Sequence, residues 1–90
     1  MSVRVHIPTP MRQQTDGQPV VDVAGVTVQA ALDDLGRRFP GITQRLFENG
    51  QVRRFVNVYL NDEDIRYLDN LGTALKDGDE LSIIPAVAGG

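Results

Sequence analysis

The sequence predicts an α+β fold, with one main helix packed on one face of a mixed sheet. Three observations lead there. Apolar and polar residues alternate in two stretches near the start. They switch to helical spacing once, in the middle, and alternate again in two later stretches. An early hairpin, a single long helix and returning strands are the signature of a sheet covered on one face.

Taken in order, "SVRVHIP" sets Val3, Val5 and Ile7 on one face and Arg4 and His6 on the other, a half-buried strand. "MRQQTDGQP" is bounded by Pro10 and Pro19 and reads as a loop with an Asp16-Gly17 turn. "VVDVAG" is the return strand of a hairpin. In "GVTVQAALDDLGRRFPG", Val28, Ala31, Leu32, Leu35 and Phe39 line one helical face. Thr27 is the natural N-cap, Arg37 and Arg38 suit the C-terminal dipole, and Pro40-Gly41 ends the helix. Gly36 is a weak point, costing roughly 1 kcal/mol relative to alanine in a helix interior. "ITQRLFENG" adds short helical turns, with Ile42, Leu46 and Phe47 inward and Asn49-Gly50 as the stop.

"RRFVNVYLN" carries the clearest strand alternation: Val56, Val58 and Leu60 inward, Phe55, Asn57 and Tyr59 outward. In "DEDIRYLDNLGTAL", Ile65, Leu68, Leu71 and Leu75 are expected to cover the core from short turns. "KDGDE" holds a tight turn at Asp77-Gly78. In the closing strand, Leu81 and Ile83 point inward and Ser82 and Ile84 outward. Pro85 donates no hydrogen bond, so there the ladder frays or the strand edge is free.

Ninety residues make one domain, and 41% hydrophobic content suffices for a modest core. The expectation is a single α+β domain over residues 1–90 with a flexible tail over residues 86–90. No apolar run is long enough to cross a bilayer and no signal peptide is evident, which leads to a cytoplasmic reading. There is no cysteine, hence no disulfide and no thiol chemistry. A net charge of −3 argues against nucleic acid as a partner. The basic residues are arginines apart from Lys76.

The chain closes on Pro85-Ala86-Val87-Ala88-Gly89-Gly90. At an average usage of roughly 7%, glycine in two given places arises about 0.5% of the time by chance. Glycine has no Cβ and admits almost any φ, so a glycine-closed tail can pass where a side chain cannot.

"FVNVYLNDEDIRYL" followed by "ALKDGDELSIIPAVAGG", on a strand-strand-helix start, resembles the sulfur-carrier family of ThiS and MoaD. The resemblance spans nearly the whole chain and is densest from Arg54 to Gly90. It implies the ubiquitin-like β-grasp fold. It further implies that the reactive group is the α-carboxyl of Gly90, adenylated with ATP by an E1-like activating enzyme and converted to a thiocarboxylate. Gly89, Ala88, Val87, Ala86 and Pro85 would form the stem that enters a partner's active site. The long form of the family is similar both to carriers of an alternative cysteine-synthesis route and to molybdopterin-synthase small subunits. The implied acceptor is accordingly a pyridoxal-phosphate cysteine synthase, with a JAMM-type metalloprotease to release the product, or the large subunit of molybdopterin synthase. A ubiquitin-like modifier joined to lysines through Gly90, and a plain interaction module with an inert tail, are the other readings.

The outward residues Phe55, Tyr59 and Ile84 form a candidate docking patch, because Ile84 lies on the strand that feeds the tail. The run Asn61-Asp62-Glu63-Asp64 lacks the spacing of a calcium loop and reads as a solvated turn. His6 has no second ligand, so no metal site is expected. No nucleophile, base or phosphate loop is grouped by the sequence, so no catalytic residue and no bound cofactor is expected, and the chain is read as a co-substrate, not an enzyme.

Overall fold

The computed structural model describes residues 2–86. The chain runs through β1 (Ser2–His6), a 3₁₀ segment (Thr9–Thr15), β2 (Val20–Ala24), α1 (Val28–Arg38) and α2 (Pro40–Leu46). It continues through β3 (Phe47–Glu48), β4 (Gln51–Val52), β5 (Val56–Leu60) and β6 (Glu63–Asp64). Short 3₁₀ turns at Ile65–Tyr67 and Asn70–Gly72 lead to β7 (Glu80–Pro85).

The main sheet has the order β2-β1-β7-β5-β6, with β3 and β4 forming a separate small hairpin. β1 pairs antiparallel with β2, parallel with β7, and β7 pairs antiparallel with β5. The sheet is therefore mixed, and the last strand is its centre. Alternation decides the faces. Val3, Val5, Val21, Val23, Val58, Leu81 and Ile83 all turn toward the helices and are buried. Burial of each such side chain is worth about 1.5–3 kcal/mol. Val56 and Leu60 share that face and are half-buried against the same core.

Helix α1 buries Val28, Ala31, Leu32 and Leu35, the stripe its spacing sets. Thr27 caps it, its side chain accepting from the N–H of Ala30 at 3.1 Å. Asp34 ties the helix to the sheet: its carboxylate accepts from the N–H of Ala24 at 2.9 Å and from Arg38 at 3.0 Å. With one main helix on one face of a mixed sheet, the architecture is the ubiquitin-like β-grasp.

Several elements differ from the sequence reading. The stretch after β1 is a 3₁₀ segment that buries Met11 and Thr15, not an open loop. Its end is the expected turn, with Asp16 at φ 54° and Gly17 at φ 79°. Pro40 ends α1 but also opens α2, because a first-turn proline sacrifices no helical hydrogen bond. Phe39 is the hinge between them, half-buried and outside both helices. Asn49-Gly50 is a hairpin turn between β3 and β4, with φ of 56° and 78°, not a helix stop. Leu68 stays outside the core that Ile65 and Leu75 complete.

Gly36 faces α2: a Cβ there would collide with the Oγ1 of Thr43, so the glycine allows the two helices to approach. Gly25 is under a stricter constraint. A Cβ on it would lie 2.5 Å from the N and 2.8 Å from the Cα of Ala31, backbone atoms that cannot rotate away. Gly25→Ala is therefore expected to lower stability by about 1–3 kcal/mol. A denaturant midpoint matching that of the parent protein would show that β2 and α1 do not need this approach.

Candidate functional site

The site is built around the exit of β7. The N–H of Ala86 donates to the C=O of Phe55 at 2.6 Å, which makes 55/86, 57/84 and 59/82 the hydrogen-bonded pairs of the β5–β7 ladder. Val56–Pro85 is thus a non-bonded pair, and the missing N–H of Pro85 lies on the β1 side. On that side the β1 register ends at the His6–Ser82 pair. Pro8 follows two residues on and also lacks an N–H, so β1 cannot continue the ladder. The two prolines free one edge of β7 beyond the N–H of Ile83 while β5 holds the other. Pro85 is accordingly still strand, and Ala86, which the sequence assigns to the tail, is exposed but keeps its bond to Phe55. Val87, Ala88, Gly89 and Gly90, and with them the expected flexible tail, lie outside the described residues.

Phe55, Ile84 and Tyr59 do share the outer face. Asn57 sits opposite Ile84, with Phe55 and Tyr59 on the diagonals. Phe55 is 51% exposed and Ile84 45%, while Tyr59 is half-buried. Toward β2 this face carries charged pairs, with Val20 and Ala24 beside them: His6 Nε2 meets Glu80 Oε1 at 2.5 Å, and Arg4 lies 3.7 Å from Asp22. The outer face is divided into a charged half toward β2 and an apolar half at the root of the tail.

Sequence reasoning missed what supports that apolar half. Asp64, placed in the solvated acidic turn, is buried, with its side chain 6% exposed. It accepts from the backbone N–H of Arg66 at 2.9 Å and from the guanidinium at 2.7 Å. Arg66 in turn donates to Asn57 Oδ1 at 2.9 Å. The guanidinium hydrogen bond, above all, holds the Asp64 carboxyl below its ordinary value and raises Arg66 above its own. An aspartate just before a short turn is the available signal, since Asx side chains bond backbone two residues on.

Among the described residues, no cluster of His, Asp or Glu is placed to hold a metal ion, and no helix is long and apolar enough to cross a membrane. What the arrangement does is present one strand end beside an apolar patch.

Sheet order, helix placement and strand exit define a small ubiquitin-like protein of the β-grasp class. The ThiS family model matches residues 5–90, and the chain belongs to the ThiS family. It is 47% identical over 93 residues to the sulfur carrier protein CysO of Mycobacterium tuberculosis, covering 100% of both chains. A chain of the Amycolatopsis orientalis BexX/CysO complex superposes with a TM-score of 0.92 at 48% identity, over 98% of this chain and 99% of that one. Small archaeal modifier protein 3 of Haloferax volcanii is 44% identical over 64 residues, 71% of this chain and 70% of that protein.

Two carboxylates give the fold an acid limit. Asp64 is depressed by Arg66, and Asp34 first by the N–H of Ala24 and then by Arg38. A depressed folded value means that the unfolded chain binds more protons, so stability rises with pH across this window. The contribution is complete above the unfolded value near 4 and is lost as pH falls through the folded values. Asp64→Asn is expected to lower stability at neutral pH and to flatten the loss below about pH 4. Denaturant melts across acid pH measure this, and an unchanged acid limb would remove Asp64 from the account.

Proposed function

We propose that this protein is a sulfur carrier, a co-substrate that other enzymes load and unload. The observation that carries the reading is full-length 47% identity to a sulfur carrier protein. Supporting it is the end of β7, which leads in sequence to Gly89 and Gly90 and carries exposed Ile84 beside exposed Phe55.

The chemistry begins with a poor electrophile. The Gly90 carboxylate repels nucleophiles and has no good leaving group. In an E1-like activating enzyme, a carboxylate oxygen attacks the α-phosphorus of ATP, and pyrophosphate leaves. Sulfide then attacks the acyl carbon, and AMP leaves, giving the thiocarboxylate; with an enzyme persulfide the first product is an acyl disulfide, and a thiol attacks its distal sulfur, forming a new disulfide and releasing the thiocarboxylate. Activation divides one difficult step into two easier ones. ATP belongs to the activating enzyme, and this chain supplies only the acyl group. Glycine at 89 and 90 keeps Cβ bulk away from the tetrahedral centre. The sulfur is passed on for cysteine synthesis, to a pyridoxal-phosphate enzyme holding an activated serine derivative, and a metalloprotease frees the cysteine. These steps take place in the cytoplasm.

A second reading, a protein modifier joined to lysines through Gly90, is favoured by the 44% identity to an archaeal modifier protein. It shares the activation step and differs in the acceptor.

The intact mass of the protein purified from its host under mild conditions separates these readings. Replacement of one oxygen by sulfur at Gly90, or an added cysteine there, is the expected result. A Gly90–lysine branch would transfer the protein to the modifier reading. A carboxylate that stays unmodified with ATP, sulfide and host extract would overturn both.

The patch is tested separately. Phe55→Ala with Ile84→Ala is expected to weaken binding to the activating enzyme about tenfold or more. Stability should stay within about 0.5 kcal/mol for each exposed position. Unchanged binding would remove the patch from the docking surface.

A further inference from the structure

A second surface lies on the other edge of β5, across the strand from β7. β6 pairs with Tyr59 and Leu60, so among the described residues the Val56–Val58 stretch of β5 has no strand on that side. The bonded pairs with β7 are 55/86 and 57/84, so Val56 and Val58 turn their backbone groups the opposite way. The N–H of Val56 is engaged by the C=O of Arg53 at 3.0 Å. The C=O of Val56 and the N–H of Val58 lie on the open side, while the C=O of Val58 faces the N–H of Ile65 in the β5–β6 pairing.

That side is a groove of about 530 Å³. Val52, Val56, Ile65 and Leu71 supply its apolar lining. Arg53, Arg54 and Arg66 line it as well, against one carboxylate, that of Asp64. Arg66 already neutralises this carboxylate, and Arg53 pairs with Glu48 at 3.5 Å, so Arg54 carries the excess charge. Arg54 lies 5.7 Å from the centroid of the Phe55 ring and, among the described residues, pairs with no carboxylate. In a chain of net charge −3, the groove is locally of opposite sign.

We propose that this groove binds an extended acidic peptide segment of a partner protein, added as a strand along the free edge of β5. Main-chain bonds to Val56 and Val58 supply the pairing, as in other strand-addition sites. Alternate side chains of such a segment point to opposite faces, so apolar ones meet Val52, Ile65 and Leu71 while acidic ones reach the arginines. Charge-assisted hydrogen bonds from guanidinium favour carboxylates over neutral side chains. A bare anion would use the arginines but leave the apolar lining and the strand edge idle, which is why a peptide is the better occupant. The groove lining excludes Phe55, Tyr59 and Ile84 and meets that patch at Arg54, over the Phe55 ring, and at Asn57.

The test uses the full chain and a short fluorescent peptide in which valine alternates with glutamate, with a lysine-for-glutamate version as control. Saturable binding is expected for the acidic peptide only, weakening as salt is raised. Amide NMR shifts should fall on Val58, Ile65, Arg66 and Leu71. Arg54→Glu, on an exposed side chain, should weaken binding about tenfold or more while the amide spectrum elsewhere stays native. Absence of saturable binding, equal binding of both peptides, or shifts confined to Tyr59 and Ile84 would overturn the proposal. So would displacement of the peptide by an equal concentration of inorganic phosphate.

Discussion

The pairing of β7 with two strands of unequal reach governs the rest of this domain. β1 accompanies it from Glu80 to Ser82, whereas β5 runs along it to Pro85 and holds Ala86. The first three residues of the strand lie between neighbours on both sides, and Leu81 and Ile83 anchor it to the core. The later residues have one neighbour. Pro8 and Pro85 fix where that change occurs, because neither supplies the N–H that a longer β1–β7 ladder needs. The strand therefore passes gradually from interior to surface along its own length, and the apolar patch appears at the point of transition.

Much of this was legible because a strand's period is two and its faces follow from parity. Leu81 and Ile83 inward, with Ile84 and Phe55 outward, could be read from alternation alone, as could the stripe from Val28 to Leu35. The Thr9–Thr15 segment was not, since two prolines and polar composition speak for a loop. Only Ile7, Met11 and Thr15, four residues apart, carry its inward face, and Thr15 is buried because its hydroxyl donates to the C=O of Gln18 at 2.9 Å. Asn49-Gly50 was misread because its flanking strands have two residues each, too few to alternate. Asp64 was hidden inside an acidic run, where burial depends on a partner two residues ahead. The groove beside β5 has linings from β4, the following turn, β5 and the 3₁₀ turns, and no local pattern announces a surface assembled that way.

The polar chain from Asp64 through Arg66 to Asn57 links the two faces of β5. Asn57 stands in the outer patch opposite Ile84, while Arg66 and Asp64 line the groove at the strand's edge. A surface ion pair contributes little on its own, but a buried carboxylate with a fixed guanidinium restricts where side chains can go. Arg66 is thus held between an apolar patch and an apolar groove. The same guanidinium that lines the groove keeps the amide of Asn57 in place on the other face.

The centrality of β7 also has a consequence for synthesis. Arg4 and Glu80 are register partners, so the strand that completes the sheet pairs with one made at the outset. A chain still lacking β7 holds β1–β2 and β5–β6 as separate pairs with nothing between them. Two-stranded pieces are marginal in water, and the long loop between β1 and β7 must close before either ladder of β7 forms. The domain therefore becomes stably native only once β7 has been released from the ribosome. A chain without β7 leaves the backbone edges of β1 and β5 unpaired, the state most open to proteases.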